Sequence, residues 1–532
     1  MSAGSAVSSD RPSLADLAAE VGFSLPESYN ASRLLWDNLP QRAAAPAVIG
    51  EGGVWSYRRL AEEAARIGNA LLAGGARPGE RVLLIMDDEP AYPAAIMGAL
   101  RAGLVPVLLN TLSPPELIRF FAEDSGAVAA VVSVAYKDLV SAAGITETAC
   151  RTLLVAEETP SWVSASTDLP ESPTGRRDMA FWMYSSGSTG RPKGVVHRHE
   201  DAAYIAATYA KRILKIGPDD ICFSIPKIYF AYGFGNSVAF PLSCGAATLL
   251  MPGRPQPAAV FELIARHKPT LLFGLPTLYT ALARDEASER ADLSSVRLCI
   301  SAAEVLSADI AATWKRRFGL DIVEGLGSTE MLHIYLSNDE ARRKSGSAGR
   351  VVPGYAVRLL TPDGRDAQVG EEGVMAVRGL SGAELYWNRP EKTAETMRDG
   401  WIDTGDRFLC DEDGFYFFRG RADDLVKVSG QWVYPLEIEW LLNEHPKVLE
   451  ACVQAVEMAD KRLTIKAWIA PARGIEADVV LAEELKTYAK TKLLPHKYPR
   501  EILFVESLPK TGTDKIDRQA LRRLAPSQAI SA

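Results

Sequence analysis

A chain of 532 residues is too long for one compact core, so at least two domains are expected. Its 47% hydrophobic and 24% charged content is that of an ordinary soluble globular protein. A net charge of −8 argues against a nucleic-acid scaffold and favours solubility.

The six cysteines (150, 222, 244, 299, 410 and 452) lack C-x-x-C spacing, which fits buried free thiols in a reducing compartment better than disulfides or zinc. The N-terminal residues have no basic segment followed by an apolar core, so no signal peptide is read. The longest apolar stretch, around Ala127–Ala135, is too short and too β-branched to span a bilayer. A cytoplasmic location is expected.

Residues 1–25 read as a loose lead-in. From Trp55 the apolar spacing becomes helical, with Ser56 as N-cap and Gly74-Gly75 as the stop. Arg81–Met86 reads as a buried strand, Pro90–Ala102 as helix, Gly103–Leu109 as strand, Pro114–Ser125 as helix and Val128–Ser133 as strand. This alternation implies a mostly parallel sheet clad by helices. Met179–Met183 is a further short strand, and the polar stretch after it is the loop leaving it. The alternation then resumes: Ala202–Leu214 helix, Gly245–Met251 strand, Ala258–His267 helix, and strands at Thr270–Gly274, Val296–Ser301 and Ile322–Gly325. A second, similar sheet is expected there. Gly349–Arg419 shifts to short strands and turns, a smaller β-rich unit. The remaining block carries helix Leu436–His445, strands near Glu450–Val456 and Thr464–Ile469, and helix Leu481–Lys492.

The chemistry concentrates in Tyr184-Ser-Ser-Gly-Ser-Thr-Gly-Arg-Pro-Lys-Gly194. Glycines let several N–H groups converge on one point, hydroxyls add donors and Lys193 supplies a charge, a set suited to a polyphosphate. It is not a Walker A loop, because Lys193 follows a proline and precedes Gly194 with no hydroxyl for magnesium. A flexible linker, the usual meaning of Gly/Ser-rich sequence, needs neither the Pro-Lys-Gly ending nor the buried strand in front. Glu324-Gly-Leu-Gly-Ser-Thr-Glu330 sets hydroxyls and a carboxylate at a strand's C-terminal end, where open α/β sheets bind ligands. Trp401-Ile-Asp-Thr-Gly-Asp406 reads as a tight turn whose carboxylate suits a sugar diol. Arg419-Gly-Arg-Ala-Asp-Asp424 lies between presumed domains, and Pro509-Lys-Thr-Gly-Thr-Asp-Lys-Ile-Asp-Arg518 puts two lysines on a late loop. Each alone is an ordinary turn composition; their joint occurrence is informative.

Together these motifs resemble the acyl-adenylate-forming superfamily of acyl-CoA synthetases, luciferases and peptide-synthetase adenylation domains, in order from residue 184 to 518. Lys227-Ile-Tyr-Phe-Ala-Tyr-Gly-Phe-Gly235, Gly327-Ser-Thr-Glu-Met-Leu-His333, Val428-Ser-Gly-Gln-Trp-Val-Tyr-Pro435 and Leu494-Pro-His-Lys-Tyr-Pro-Arg500 are similar to the benzoate–CoA ligases and their aryl-acid relatives. The resemblance implies an α/β fold. A large N-terminal domain, residues 1–420, would hold two stacked βα sheets and a β-rich subdomain. A small mobile α+β domain, residues 421–532, would turn about a hinge at Asp423.

The resemblance also implies roles. Ser185, Ser186, Gly187, Ser188, Thr189, Gly190 and Lys193 would embrace the β- and γ-phosphates of ATP. Thr329 would touch the α-phosphate and Glu330 would hold Mg²⁺. Ala302, Ala303 and Glu304, with Gly325, Leu326, Gly327 and Ser328, would line the adenine. Asp406 and Arg421 would bind the ribose, Ser429 and Gly430 would edge the pantetheine tunnel of CoA, and Lys515 would be the catalytic lysine. Phe230, Ala231, Tyr232, Gly327, His333 and Ile334 would form the acid pocket, with a flat ring between Tyr232 and His333. His333 could equally be a core histidine bonded to a neighbouring carbonyl. The chain departs from the pattern at Ala303 and Asp514, where the family usually has glycine; a carboxylate at 514 would partly offset the charge of Lys515.

The implied reaction joins a carboxylate to ATP as acyl-AMP with release of diphosphate, and CoA then displaces AMP. The acid could be benzoate, a substituted benzoate, furoate or an alicyclic acid, handled by a monomer or homodimer with no nucleic-acid or membrane partner. Two rivals stay open: an adenylation enzyme that loads a carrier-protein thiol, and a catalytically idle nucleotide or acyl-CoA sensor. The absence of a G-x-S-x-G elbow argues against a serine hydrolase.

Overall fold

The computed structural model describes residues 11–156, 158–185, 192–302, 306, 308–422, 426–428, 431–457, 463–472, 474–494, 497–509, 516–523 and 530–531. The chain divides into two compact units. One comprises Met1–Arg358, Ala376–Thr404 and Cys410–Phe417; the other comprises Leu359–Met375, Gly405–Leu409 and Phe418–Ala532. The boundary therefore runs across the β-rich stretch instead of cutting the chain once.

The first unit is built on two large sheets. One has seven strands in the order Leu385–Tyr386, Lys193–Arg198, Met179–Ser185, Val105–Leu108, Arg81–Ile85, Ala129–Val132 and Thr152–Val155. Its five strands from Met179–Ser185 onward are parallel, and Lys193–Arg198 runs back antiparallel. The apolar runs legible in the sequence are these strands, buried on both faces as parallel strands under helices must be. The other sheet has nine strands: Arg350–Val351, Ile334–Ser337, Ile322–Gly327, Leu298–Ser301, Leu271–Gly274, Ile221–Ser224, Ala247–Leu249, Pro46–Gly50 and Gly53–Ser56.

The helix Tyr57–Ala73 starts where its sequence says: Ser56 Oγ accepts the Arg59 N–H at 3.2 Å. Helix Ala91–Arg101 is buried on every side from Ala91 to Leu100, as a helix enclosed between layers must be. The lead-in differs from expectation. Leu14–Glu20 is a helix, because Ser13 and Asp16 form a reciprocal capping box.

In the second unit a four-stranded sheet, ordered Val448–Glu457, Leu463–Pro471, Glu501–Phe504 and Ile530–Ser531, is covered by helices Pro435–Asn443 and Val479–Lys492. Ile438, Leu442, Val453, Ile465, Ile469, Leu485 and Phe504 form its core. All six cysteines are free, and Cys150, Cys222, Cys299 and Cys452 are buried. Among the described residues no helix is long and apolar enough to cross a membrane.

Candidate active site

The strands on either side of the polar stretch, Met179–Ser185 and Lys193–Arg198, pair antiparallel. Lys193 opens the returning strand directly opposite Ser185, and Gly194 pairs with Tyr184. The ladder thus fixes where the lysine stands, which a linker would not do. Of the expected phosphate loop, Ser186, Gly187, Ser188, Thr189 and Gly190 lie outside the described residues. Ser185 Oγ is buried and makes no hydrogen bond in the described structure.

The second motif is a strand and then a turn. Ile322–Gly327 pairs parallel with Leu298–Ser301 as far as Glu324, then antiparallel with Ile334–Ser337. Between them Ser328 Oγ accepts the Met331 N–H at 3.1 Å and Thr329 O accepts the Leu332 N–H at 3.0 Å. Leu332 takes φ 63° to close the turn. Glu330 is held twice: its carbonyl accepts the Ala383 N–H at 2.7 Å, and its carboxylate accepts the Tyr386 hydroxyl at 2.8 Å. The ring of that same Tyr386 carries Lys193 Nζ 4.2 Å from its centroid. One tyrosine therefore joins the hairpin lysine to the strand-end carboxylate. Tyr386 belongs to the edge strand paired with Lys193–Arg198, a tertiary placement with no local sequence signal.

Ala302 is buried just past Leu298–Ser301; Ala303 and Glu304 lie outside the described residues. Gly325, Leu326 and Gly327 lie in the strand, and Ser328 begins the turn. Glu324, absent from the expected site, accepts the Leu306 N–H at 3.2 Å, and burial pushes its carboxyl up to about 7.

Around the expected acid pocket, Phe230 is the N-cap of the short helix Ala231–Phe234, and Ala231 and Ile334 are buried. His333 is 2% exposed and its Nε2 lies 3.3 Å from the Tyr232 carbonyl and 3.2 Å from Asn236 Oδ1. Burial pushes its pKa down to about 3, so the ring is neutral. This is the bonding of a core histidine. The Tyr232 and His333 rings are 5.5 Å apart and tilted by 46°. A ring between them would need about 7 Å, twice a carbon–carbon contact, so the slot expected there is absent. Gly327 has a backbone reason: a methyl group on it would stand 2.4 Å from the His333 carbonyl oxygen.

The segment leading into this pocket is pinned to the end of strand Arg81–Ile85. Lys227 Nζ bonds Asp87 Oδ1 at 3.2 Å and the Met251 carbonyl at 2.6 Å, while the Ile228 N–H donates to Asp88 Oδ1 at 3.1 Å. Neither aspartate carries a local sequence signal that separates it from a surface acid.

In the second unit Asp406 and Arg421 are ion-paired at 3.0 Å. Asp406 lies inside strand Trp401–Cys410, not in a tight turn as expected; Gly405, at φ 67°, bends the strand locally. A Cβ at Gly405 would be 2.9 Å from the Arg421 guanidinium. Asp423, Ser429, Gly430 and Lys515 lie outside the described residues. Beyond Lys515, Arg518 makes a bidentate pair with Glu439, at 2.7 and 2.8 Å.

Among the described residues no three His, Cys, Asp or Glu side chains cluster as a resident metal site would. A lone carboxylate such as Glu330 suits Mg²⁺ arriving with a nucleotide, which takes one or two carboxylates and completes its shell with phosphate and water.

The sequence profile of the AMP-binding enzymes matches residues 35–387, and that of the AMP-binding enzyme C-terminal domain matches 437–515. The benzoate–CoA ligase of Thauera aromatica is 41% identical over 517 residues, covering 94% of this chain and 96% of that protein. The crystal structure of a benzoate CoA ligase from Burkholderia xenovorans LB400 aligns with a TM-score of 0.87 at 40% identity, over 93% of this chain and 100% of that one. An anthranilate CoA ligase in complex with anthranoyl-AMP aligns with a TM-score of 0.88 at 34% identity, over 94% and 97%.

Proposed function

We propose, since this chain belongs to the AMP-binding enzyme family, that it is an ATP-dependent aryl-acid–CoA ligase. In the first half-reaction the carboxylate attacks the α-phosphorus of ATP, forming acyl-AMP and releasing diphosphate. In the second the CoA sulfur attacks the acyl carbon, the thiol proton is lost, and AMP leaves. No protein nucleophile is needed, because AMP is already a good leaving group.

The difficulty lies in the first half, where one anion must approach another. Lys193 would neutralise the β- and γ-phosphates with the hydroxyls of the hairpin loop, Thr329 would bond the α-phosphate, and Lys515 would supply the second cation. Glu330 would hold Mg²⁺, which supplies further charge neutralisation when bound. Asp406 and Arg421 are the proposed ribose ligands, Ala302 to Glu304 with Gly325–Ser328 the adenine walls, and Ser429 and Gly430 the pantetheine edge. Residues 421–532, hinged at Asp423, would carry Lys515 into the first step and away for the second.

The observation that carries this reading is the Lys193–Tyr386–Glu330 arrangement: cation and carboxylate are brought together by the strands that the two motifs flank. The likeness to benzoate–CoA ligases supports an aromatic acid, with Phe230, Ala231, Tyr232, Gly327, His333 and Ile334 as proposed pocket residues and the acid's ring seated beside the Tyr232–His333 pair, not between them. The test is product identification with purified protein, benzoate, ATP, Mg²⁺ and CoA, extended to hydroxy- and aminobenzoates, furoate and alicyclic acids. Benzoyl-CoA and AMP are expected. Diphosphate release without acyl-CoA would favour a carrier-loading adenylation enzyme, and no diphosphate with any acid would favour the sensor.

A further inference from the structure

In the segment His197-Arg-His-Glu-Asp201 every residue but Arg198 is buried, and the reaction above gives it no part. His197 and Asp201 are both 0% exposed. His197 lies on the strand that begins at Lys193. Its Nε2 is 2.8 Å from the Thr329 carbonyl oxygen and its Nδ1 3.0 Å from Asp201 Oδ2. A carbonyl oxygen and a carboxylate oxygen only accept, so Nε2 donates to Thr329 and Nδ1 donates to Asp201. Asp201 is itself held, accepting the Arg198 N–H at 3.1 Å and Arg198 Nε at 3.3 Å. Phe181, opposite His197 in the hairpin ladder, stacks on the imidazole at 5.5 Å and 25°. The ring is thus bonded at both edges and covered on one face.

What it grips is the peptide linking Thr329 to Glu330. From the other side Tyr386 and Ala383 grip Glu330. We propose that His197, oriented by Asp201, is a positioning residue for adenylate formation, setting the Thr329–Glu330 peptide so that both side chains stand where the phosphates of ATP arrive. The inference rests on the roles proposed above for Thr329 and Glu330. Misplacing a reacting group by about 1 Å can cost ~10²-fold in rate, and a turn released on one side is free to shift by that much.

The test compares His197→Leu, which removes the donor, with His197→Gln, whose amide N–H can still reach the carbonyl. ATP–diphosphate exchange reads adenylation, and thioester formation from supplied benzoyl-AMP reads the second half. In folded protein His197→Leu should lower the exchange kcat about 100-fold while the KM for ATP and the thioester step stay within about threefold, and His197→Gln should recover to within about fivefold of wild type. Exchange unchanged in His197→Leu, no recovery in His197→Gln, or equal loss in both half-reactions would overturn the proposal. Should His197→Leu not fold, Asp201→Asn carries the test. About tenfold loss confined to exchange is expected, and no loss or loss shared by both steps would contradict it. Glu330→Gln separates this failure from that of the underlying reading: if it leaves exchange intact, the role of Glu330 is wrong whatever His197 does.

Discussion

Asp88 shows how one buried acid ties the segment at Ile228, which leads into the proposed acid pocket, to the first sheet. It is 1% exposed, and burial pushes its carboxyl up to about 7 against the nearby charge of Lys227. The folded state therefore keeps a proton that the unfolded chain gives up near its ordinary value of 3.8. Stability from this group is full below about pH 4 and is lost as pH rises through about 7. Asp88→Asn should accordingly gain on wild type as pH increases, by about 2–4 kcal/mol at pH 8 relative to pH 4. Thermal unfolding across that range reads it, and an offset that does not change with pH would count against the burial argument. Tyr386→Phe, at the same scale, keeps the ring under Lys193 but removes the hydroxyl on Glu330. About a tenfold drop in diphosphate exchange is expected, against ~10²–10³ for Lys193→Ala.

Among elements, the C-terminal unit depends on one ion pair more than its sequence suggests. Glu439 projects from helix Pro435–Asn443 and bonds both the Arg518 guanidinium and the Val453 N–H. Removing one partner of a fully buried pair costs about 3–5 kcal/mol; the side chain of Arg518 is 33% exposed, so about 2–3 kcal/mol is expected of Glu439→Ala. Faster amide hydrogen exchange in strand Val448–Glu457 would report it, and unchanged protection at Val453 would contradict it. The βα alternation was legible because parallel strands covered on both faces leave continuous apolar runs, as at Arg81–Ile85 and Ala129–Val132. The returning strand Lys193–Arg198 was not: its sequence, Lys-Gly-Val-Val-His-Arg, declares no period, and only pairing with Met179–Ser185 makes it a strand. The proposed site residues that lie in motifs (Lys193, Thr329, Glu330) stand out in the sequence because their local chemistry is unusual. Tyr386, Asp88 and His197 could not, because each matters through a partner far away in the chain.

For the whole molecule, the proposed reaction divides into two steps with different charge requirements. Lys515 is proposed for the first alone, since the second has no incoming carboxylate to screen from the phosphates. Lys515→Ala should therefore abolish diphosphate exchange, by ~10² or more, and leave thioester formation from supplied benzoyl-AMP within about threefold. Equal loss in both half-reactions would contradict the separate-step assignment. The central claim remains that the hairpin lysine and the strand-end glutamate, already linked through Tyr386, serve one nucleotide. Its most direct measurement is a crystal structure with a non-hydrolysable ATP analogue and Mg²⁺. The account predicts Lys193 bonded to the β- and γ-phosphates and Glu330 on the metal; a triphosphate seated away from both residues would contradict it.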